Sequence, residues 1–182
     1  MKLAFAAPSL QGLDSMEADV LALGVFSDDR PLRDLAGLAD WRLNGQVSRV
    51  ILDERFEGRL GEVLMLPCGH RIGPGRCVLF GLGAGTGFDE QRLANACEWI
   101  WATLARLRTP SVAMPLPGRH RSTLSAGASA RLVVAAASKA YEAEGDFLRL
   151  QLAVRQEDRR EVRGSLEVRQ LASAVDFVGG SR

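Results

Sequence analysis

Arg76 to Leu104 reads RCVLFGLGAGTGFDEQRLANACEWIWATL, and its three parts set the class of the fold. Arg76 to Leu82 is an apolar run with the composition of a strand. Gly81, Gly83, Gly85 and Gly87 then fall at alternate positions, as in a tight loop. After them Leu93, Ala96, Cys97, Ile100, Trp101 and Leu104 recur three or four apart, which gathers them on one stripe of a helix. Asp89 stands where an N-cap belongs, and Phe88 with Leu93 fits a hydrophobic staple around it. The helical pattern stops near Arg108, just before Pro110.

Upstream, Glu62 to Pro67 is a second apolar run, joined to the first through the turn Cys68 to Gly75, so the two read as a hairpin. Ala18 to Phe26 is apolar almost throughout, the pattern of a central strand covered on both faces. Leu3 to Ala7 is a shorter strand ended by Pro8. Pro31 fits the first turn of a helix with Asp29 as its cap, and Leu32, Leu35, Leu38 and Trp41 follow at helical spacing. A further helical stretch covers Asp40 to Leu52. Downstream, Ser111 to Leu116 is a strand, and the turn Gly118 to Thr123 opens an Ala-rich helix that runs to Glu144 and is capped by Gly145. Phe147 to Val154 alternates apolar and polar residues, the mark of a half-exposed strand. A charged helix from Glu157 to Val175 closes the chain. Strands alternating with helices predict an α/β fold on a mixed or parallel sheet.

The totals agree with one domain. At 182 residues the chain buries enough surface to fold without disulfides or metal. Lys and Arg number 23 against 22 Asp and Glu, a balance that gives no electrostatic case for nucleic acid or an anionic membrane. Three cysteines, Cys68, Cys77 and Cys97, include no C-x-x-C pair, so neither a disulfide framework nor a zinc site is expected. The apolar stretch before Pro8 is too short for a secretory signal, and no run approaches a membrane span. The expected location is cytoplasmic.

Two loops could carry a ligand. The glycines Gly81, Gly83, Gly85 and Gly87 follow a strand and open a helix, where backbone N–H groups attract anions. Their spacing is neither the dinucleotide fingerprint nor a P-loop, so tight-turn glycines are the competing reading. Arg119, His120 and Arg121 precede the long helix and could clamp a phosphate or carboxylate, or form a solvated basic turn. Should both loops share one end of the sheet, they could share one ligand. His70 and His120 each lie in a turn with no acidic partner nearby in sequence. No nucleophile elbow, metal-ligand spacing or cofactor motif is present, so no catalytic residue, metal ligand or cofactor is expected. Asp28 and Asp29 form the one tight acidic pair in a loop, read as a cap. Trp99 cannot share the buried stripe with Trp101, and is expected to face a crevice or a partner chain.

Leu13 to Phe26 (LDSMEADVLALGVF), with Asp29-Arg30-Pro31-Leu32 and Leu38-Ala39-Asp40, resembles the N-terminal domain of the leucyl aminopeptidase (cytosol aminopeptidase) family. Gly61-Glu62-Val63 to Pro67, Val78 to Gly83, Phe88-Asp89 and Arg92-Leu93 are similar in the same order, and Glu167 to Phe177 is similar to the family's interdomain linker helix. The resemblance implies a macro-domain-like three-layer α/β fold, a mixed and mostly parallel sheet flanked by helices. It implies a domain over residues 1–155 and a linker-like helix and tail over 156–182. In that family the peptidase site lies in a C-terminal domain with two metal ions, carboxylates and a lysine, and no position here matches one of those residues. The expected role is therefore non-catalytic, in homo-oligomer assembly or in regulating a partner aminopeptidase. Two alternatives stand beside it. One is binding of a phosphate-bearing small molecule of nucleotide or ADP-ribose type, which the macro-like fold suggests. The other is a fragment of a metallo-aminopeptidase.

Overall fold

A computed structural model describes residues 1–144, 147–167 and 175–178. Seven strands form one sheet: β1 (Lys2–Ala6), β2 (Val20–Val25), β3 (Val63–Pro67), β4 (Arg76–Gly81), β5 (Ser111–Pro115), β6 (Arg149–Ala153) and β7 (Asp176–Phe177). Their order across the sheet is β3-β4-β2-β5-β6-β1-β7. Every pair is parallel except the β3–β4 hairpin, where Val63 faces Phe80 and Pro67 faces Arg76. The helices are α1 (Leu10–Ser15), α2 (Asp34–Arg42), α3 (Gln46–Leu52), α4 (Glu90–Arg106), α5 (Ala126–Glu144) and α6 (Arg159–Leu166).

The three layers follow from residue alternation in the strands. Along β2, Val20 and Ala22 enter one core while Leu21, Leu23 and Val25 enter the other. The first core holds the stripe of α4, with Leu93, Ile100, Trp101 and Leu104 buried. It also takes Val133, Val134 and Ala137 of α5, and Val162 and Leu166 of α6. Trp101 stands edge-on to Tyr141 with ring centroids 6.0 Å apart, which joins α4 to α5. The second core holds Leu13, Leu35, Ala39, Val47 and Val50 from α1 to α3. Burying each large side chain of these cores contributes about 2 kcal/mol.

The expected strands and the central place of β2 are all present, and Asp89 caps α4 by accepting from the Arg92 N–H at 2.9 Å. The alternation in β6 has its expected basis, with Arg149 exposed and Gln151 half-buried while Leu150 and Leu152 are buried.

The helices after β2 and at the end of the chain need correction. α2 starts at Asp34 rather than Pro31, with Arg30 and Pro31 in a bend and Arg33 extended at the N-cap position. Its buried residues are Leu35, Ala36 and Ala39, which puts Trp41 on the opposite side, 64% exposed and against the Arg42 guanidinium. The next helix begins at Gln46, not Asp40, since Asn44 and Gly45 both turn left-handed. α1 was not expected; Ser9 caps it through the Gly12 N–H at 3.0 Å. The last helix does not run unbroken from Glu157 to Val175. A 3-10 turn at Gln156–Asp158 leads into α6, which ends at Leu166, and Asp176–Phe177 is a strand paired with β1. The expected Gly145 cap and the 168–174 part of the expected linker helix lie outside the described residues. No described helix is long and apolar enough to cross a membrane.

Candidate functional site

The loops after β2, β4, β5 and β6 all leave the sheet at the carboxyl ends of its parallel strands, the end where α/β sheets place ligands. The structure puts the two suspected loops side by side there. Their contact runs through the acidic pair Asp28 and Asp29 of the β2–α2 loop, which was expected to serve as a cap.

The Gly85 N–H donates to Asp28 Oδ1 at 2.9 Å, and that bond holds the Asp28 carboxyl below its ordinary range. Arg121 lies alongside, with its Nη2 2.8 Å from Asp29 Oδ1 and 3.8 Å from Asp28 Oδ2. Asp29 is only 3% exposed. Its other oxygen faces His120 Nε2 at 2.5 Å, while His120 Nδ1 faces Asp34 Oδ2 at 2.9 Å. An imidazole with a carboxylate on each nitrogen donates from both, so it is held as the imidazolium. The bond to Asp34 is the main cause that raises the His120 pKa above its ordinary value, with the Asp29 bond second and burial opposing. The same bond lowers the pKa of Asp34.

His120 therefore does have acidic partners, contrary to the sequence expectation. They come from a loop about ninety residues earlier, a separation that local spacing cannot reveal. The stability that these pairs give is complete below the ordinary histidine pKa of about 6.5. It is lost as pH rises through the higher folded value. Melting temperatures of the native chain and His120→Gln should differ most at about pH 6 and converge as pH rises above the ordinary histidine range. A gap that stays constant or widens with pH would refute the imidazolium assignment.

The knot forms one wall of a cleft of about 570 Å³ above β2, β5 and β6. Arg119 and His120 line it, together with Arg33, Asp34, Arg155 and Asp158. Arg119 donates to the Leu124 carbonyl at 3.3 Å, and its Nε is buried without a hydrogen-bond partner. The glycine loop lines a different hollow of about 410 Å³ through Gly83 and Ala84, together with Leu60, Phe88, Arg92 and Trp99. Trp99 is partly buried there, edge-on to Phe80 at 5.3 Å. Gly81 is packed against the backbone of Arg59, and Gly83 and Gly87 take positive φ of 75° and 68°.

Elsewhere, His70 sits in the β3–β4 turn, far from the knot in the fold. Burial pushes the Cys68 thiol up to about 11 and Cys97 to about 12, so neither is a nucleophile at neutral pH. Among the described residues no three His, Cys, Asp or Glu side chains converge as metal ligands do.

Comparison with known proteins places this geometry. Residues 22–145 match the model of the cytosol aminopeptidase family, N-terminal domain. A probable cytosol aminopeptidase of Alkaliphilus metalliredigens is 26% identical over 102 residues, 56% of this chain and 20% of that protein. The chain spans about a fifth of the length of the curated relatives it matches. Among solved structures, a tomato leucine aminopeptidase superposes with a TM-score of 0.60 at 19% identity, over 90% of this chain and 35% of that one. A Trypanosoma brucei macrodomain in complex with ADP superposes with a TM-score of 0.68 at 11% identity, over 90% of this chain and 67% of that one. The fold is macrodomain-like.

Proposed function

The chain belongs to the cytosol aminopeptidase family, as its N-terminal domain, and from that premise we propose that it acts without peptidase chemistry of its own, in assembly or regulation of an aminopeptidase in the cytoplasm. The observation that carries this reading is the extent of the match. Residues 22–145 take in most of the chain, and what they match is the model of the family's N-terminal domain.

The edge of the sheet supports an assembly role. β3 is an edge strand, and Val63 and Met65 on it are 42% and 40% exposed. Leu60 beside them is 74% exposed and shares a hollow with Trp99. Exposed apolar side chains gathered at a sheet edge mark contact surfaces more often than solvent-facing ones. Trp99 is the candidate anchor of that surface, as aromatic side chains in hollows often are.

Light scattering after size-exclusion chromatography tests the reading, on the chain alone and mixed with a full-length aminopeptidase of the family. Self-association or a mixed complex is expected, and Trp99→Arg should weaken it at least tenfold. A strict monomer that joins no aminopeptidase would overturn the assembly role. Hydrolysis of leucyl p-nitroanilide by the chain alone, with manganese or zinc added, would overturn the non-catalytic one.

A further inference from the structure

We propose that β3 pairs antiparallel with β3 of a second copy of this chain, about a two-fold axis at Leu64, so that the two sheets join edge to edge. This rests on the assembly reading and deepens it, by naming the partner and the register.

In the described sheet β3 has β4 on one side and nothing on the other. Main-chain groups along an antiparallel strand point alternately toward and away from a given neighbour. The Glu62 carbonyl accepts from the Gly81 N–H at 2.8 Å, and the Cys68 N–H donates to the Gly75 carbonyl at 3.0 Å. Residues 62, 64, 66 and 68 thus face β4, whereas Val63, Met65 and Pro67 turn their main-chain groups outward. Pro67 has no N–H, and the Gly61 N–H is engaged by the Gly81 carbonyl at 3.3 Å. The outward donors of the edge are those of Val63 and Met65. An axis at Leu64 sets Val63 of each copy opposite Met65 of the other, and each of these donors then meets a carbonyl. An axis at Met65 would set the Val63 carbonyl opposite Pro67, which has no donor to give. An axis at Val63 would set Met65 opposite Gly61, whose N–H is already engaged.

The side chains agree with this register. Val63 and Met65 lie on one face of the strand, so pairing gathers both from each copy into an apolar patch that leads on to the exposed Leu60. The devices that commonly guard a sheet edge are missing, since residues 63–66 contain no charge and no proline. Charge then favours a second copy. Residues 53–62, before β3 or at its start, carry four acids and two arginines, and residues 67–76 carry two arginines and no acid. A two-fold antiparallel pairing lays the acidic end of each strand beside the basic end of the other. A parallel pairing would lay like charges together.

Leu64→Cys tests the register directly. Residues opposite each other at such a position have Cα atoms about 4.5 Å apart, within reach of a disulfide. Cys68, Cys77 and Cys97 are buried, so the native chain should stay unlinked. On oxidation with diamide, Leu64→Cys should run as a dimer on a non-reducing gel. Val63→Cys and Met65→Cys, offset from their own counterparts across the axis, should link about tenfold more slowly. Met65→Lys alters an exposed side chain and keeps the fold, and by light scattering it should weaken self-association about tenfold. Val178→Lys, beside the opposite edge of the sheet, should associate as the native chain does. Faster linking from Val63→Cys or Met65→Cys, or an equal loss in Val178→Lys, would overturn the proposal. A chain that is monomeric alone yet joins a full-length aminopeptidase would overturn it and leave the assembly reading standing. A chain that joins neither would overturn both.

Discussion

Gly81→Ala is expected to lose about 3 kcal/mol of folding stability, whereas Gly85→Ala, four residues on, loses under about 1 kcal/mol. A Cβ on Gly81 would lie 2.0 Å from the Arg59 carbonyl oxygen and 2.8 Å from the Gly58 carbonyl carbon. Both are main-chain atoms of a segment that cannot simply retreat. The Gly58 carbonyl accepts from the Gly83 N–H at 2.9 Å, and the Glu62 carbonyl accepts from the Gly81 N–H at 2.8 Å. Relief would therefore break the end of the β3–β4 ladder. At Gly85 the added carbon would meet Arg121 Nε at 3.1 Å and Asp28 Oδ1 at 3.2 Å, the ends of side chains that can shift. Urea unfolding of both variants with unchanged slope would measure the difference. Should Gly81→Ala stay within about 0.5 kcal/mol of the native chain, the glycine is not there for packing, and the anion-binding reading of the loop regains its case.

Asp29→Ala is expected to lose about 3 kcal/mol, more than any other single change in the charged knot. The carboxylate is almost wholly buried and accepts from Arg121 at 2.8 Å as well as from His120 at 2.5 Å. Its removal leaves two cations facing each other across the space it occupied. The loss stays below that of a fully buried triad, because the Arg121 and His120 side chains are 36% and 24% exposed and water reaches them. Asp29→Asn keeps the shape and should lose less, about 2 kcal/mol. The His120 pKa should also fall toward its ordinary value, because one of its two carboxylates is gone. Proton NMR titration of His120 in Asp29→Asn reads that directly. An unmoved titration together with a loss under about 1 kcal/mol would show that Asp29 does not organise the knot.

The legible parts of the fold were those written in local periodicity. The α4 stripe, its Asp89 cap and the double-sided burial of β2 depend on residues within one element, and all three were predicted in place. The errors fall where a tertiary partner decides. Leu32, Leu35, Leu38 and Trp41 make a helical pattern that is true of spacing, yet the buried face belongs to Leu35, Ala36 and Ala39. Arg119 and His120 were picked as candidate site residues from composition, and the structure places both on the cleft. Their partners Asp29 and Asp34, and the distant Arg155, were missed. The two acids come from the β2–α2 connection and Arg155 from the segment after β6, and only the parallel order of the strands brings these to the end where the β5–α5 loop lies. Asp29, two residues before Pro31, looked like a cap, because a proline fits the first turn of a helix and an acid just ahead of it often caps one. The family resemblance reached the right fold where the motifs could not, since it rests on the order of strands and turns over most of the chain.

The sheet order also governs the sequence of events by which the chain can fold. β1 has only late-arriving neighbours: Lys2 lies opposite Arg149 on one side and Asp176 on the other. The hairpin β3–β4 and the α4–α5 pair close over short stretches of chain, while β1 must wait for a loop nearly as long as the domain. Closing such loops is entropically expensive and slows folding. The first of these seven strands in chain order is thus among the last to be secured. Until then β6 presents an unpaired edge beside β5, a period in which the nascent domain is most open to a chaperone or to pairing with another chain.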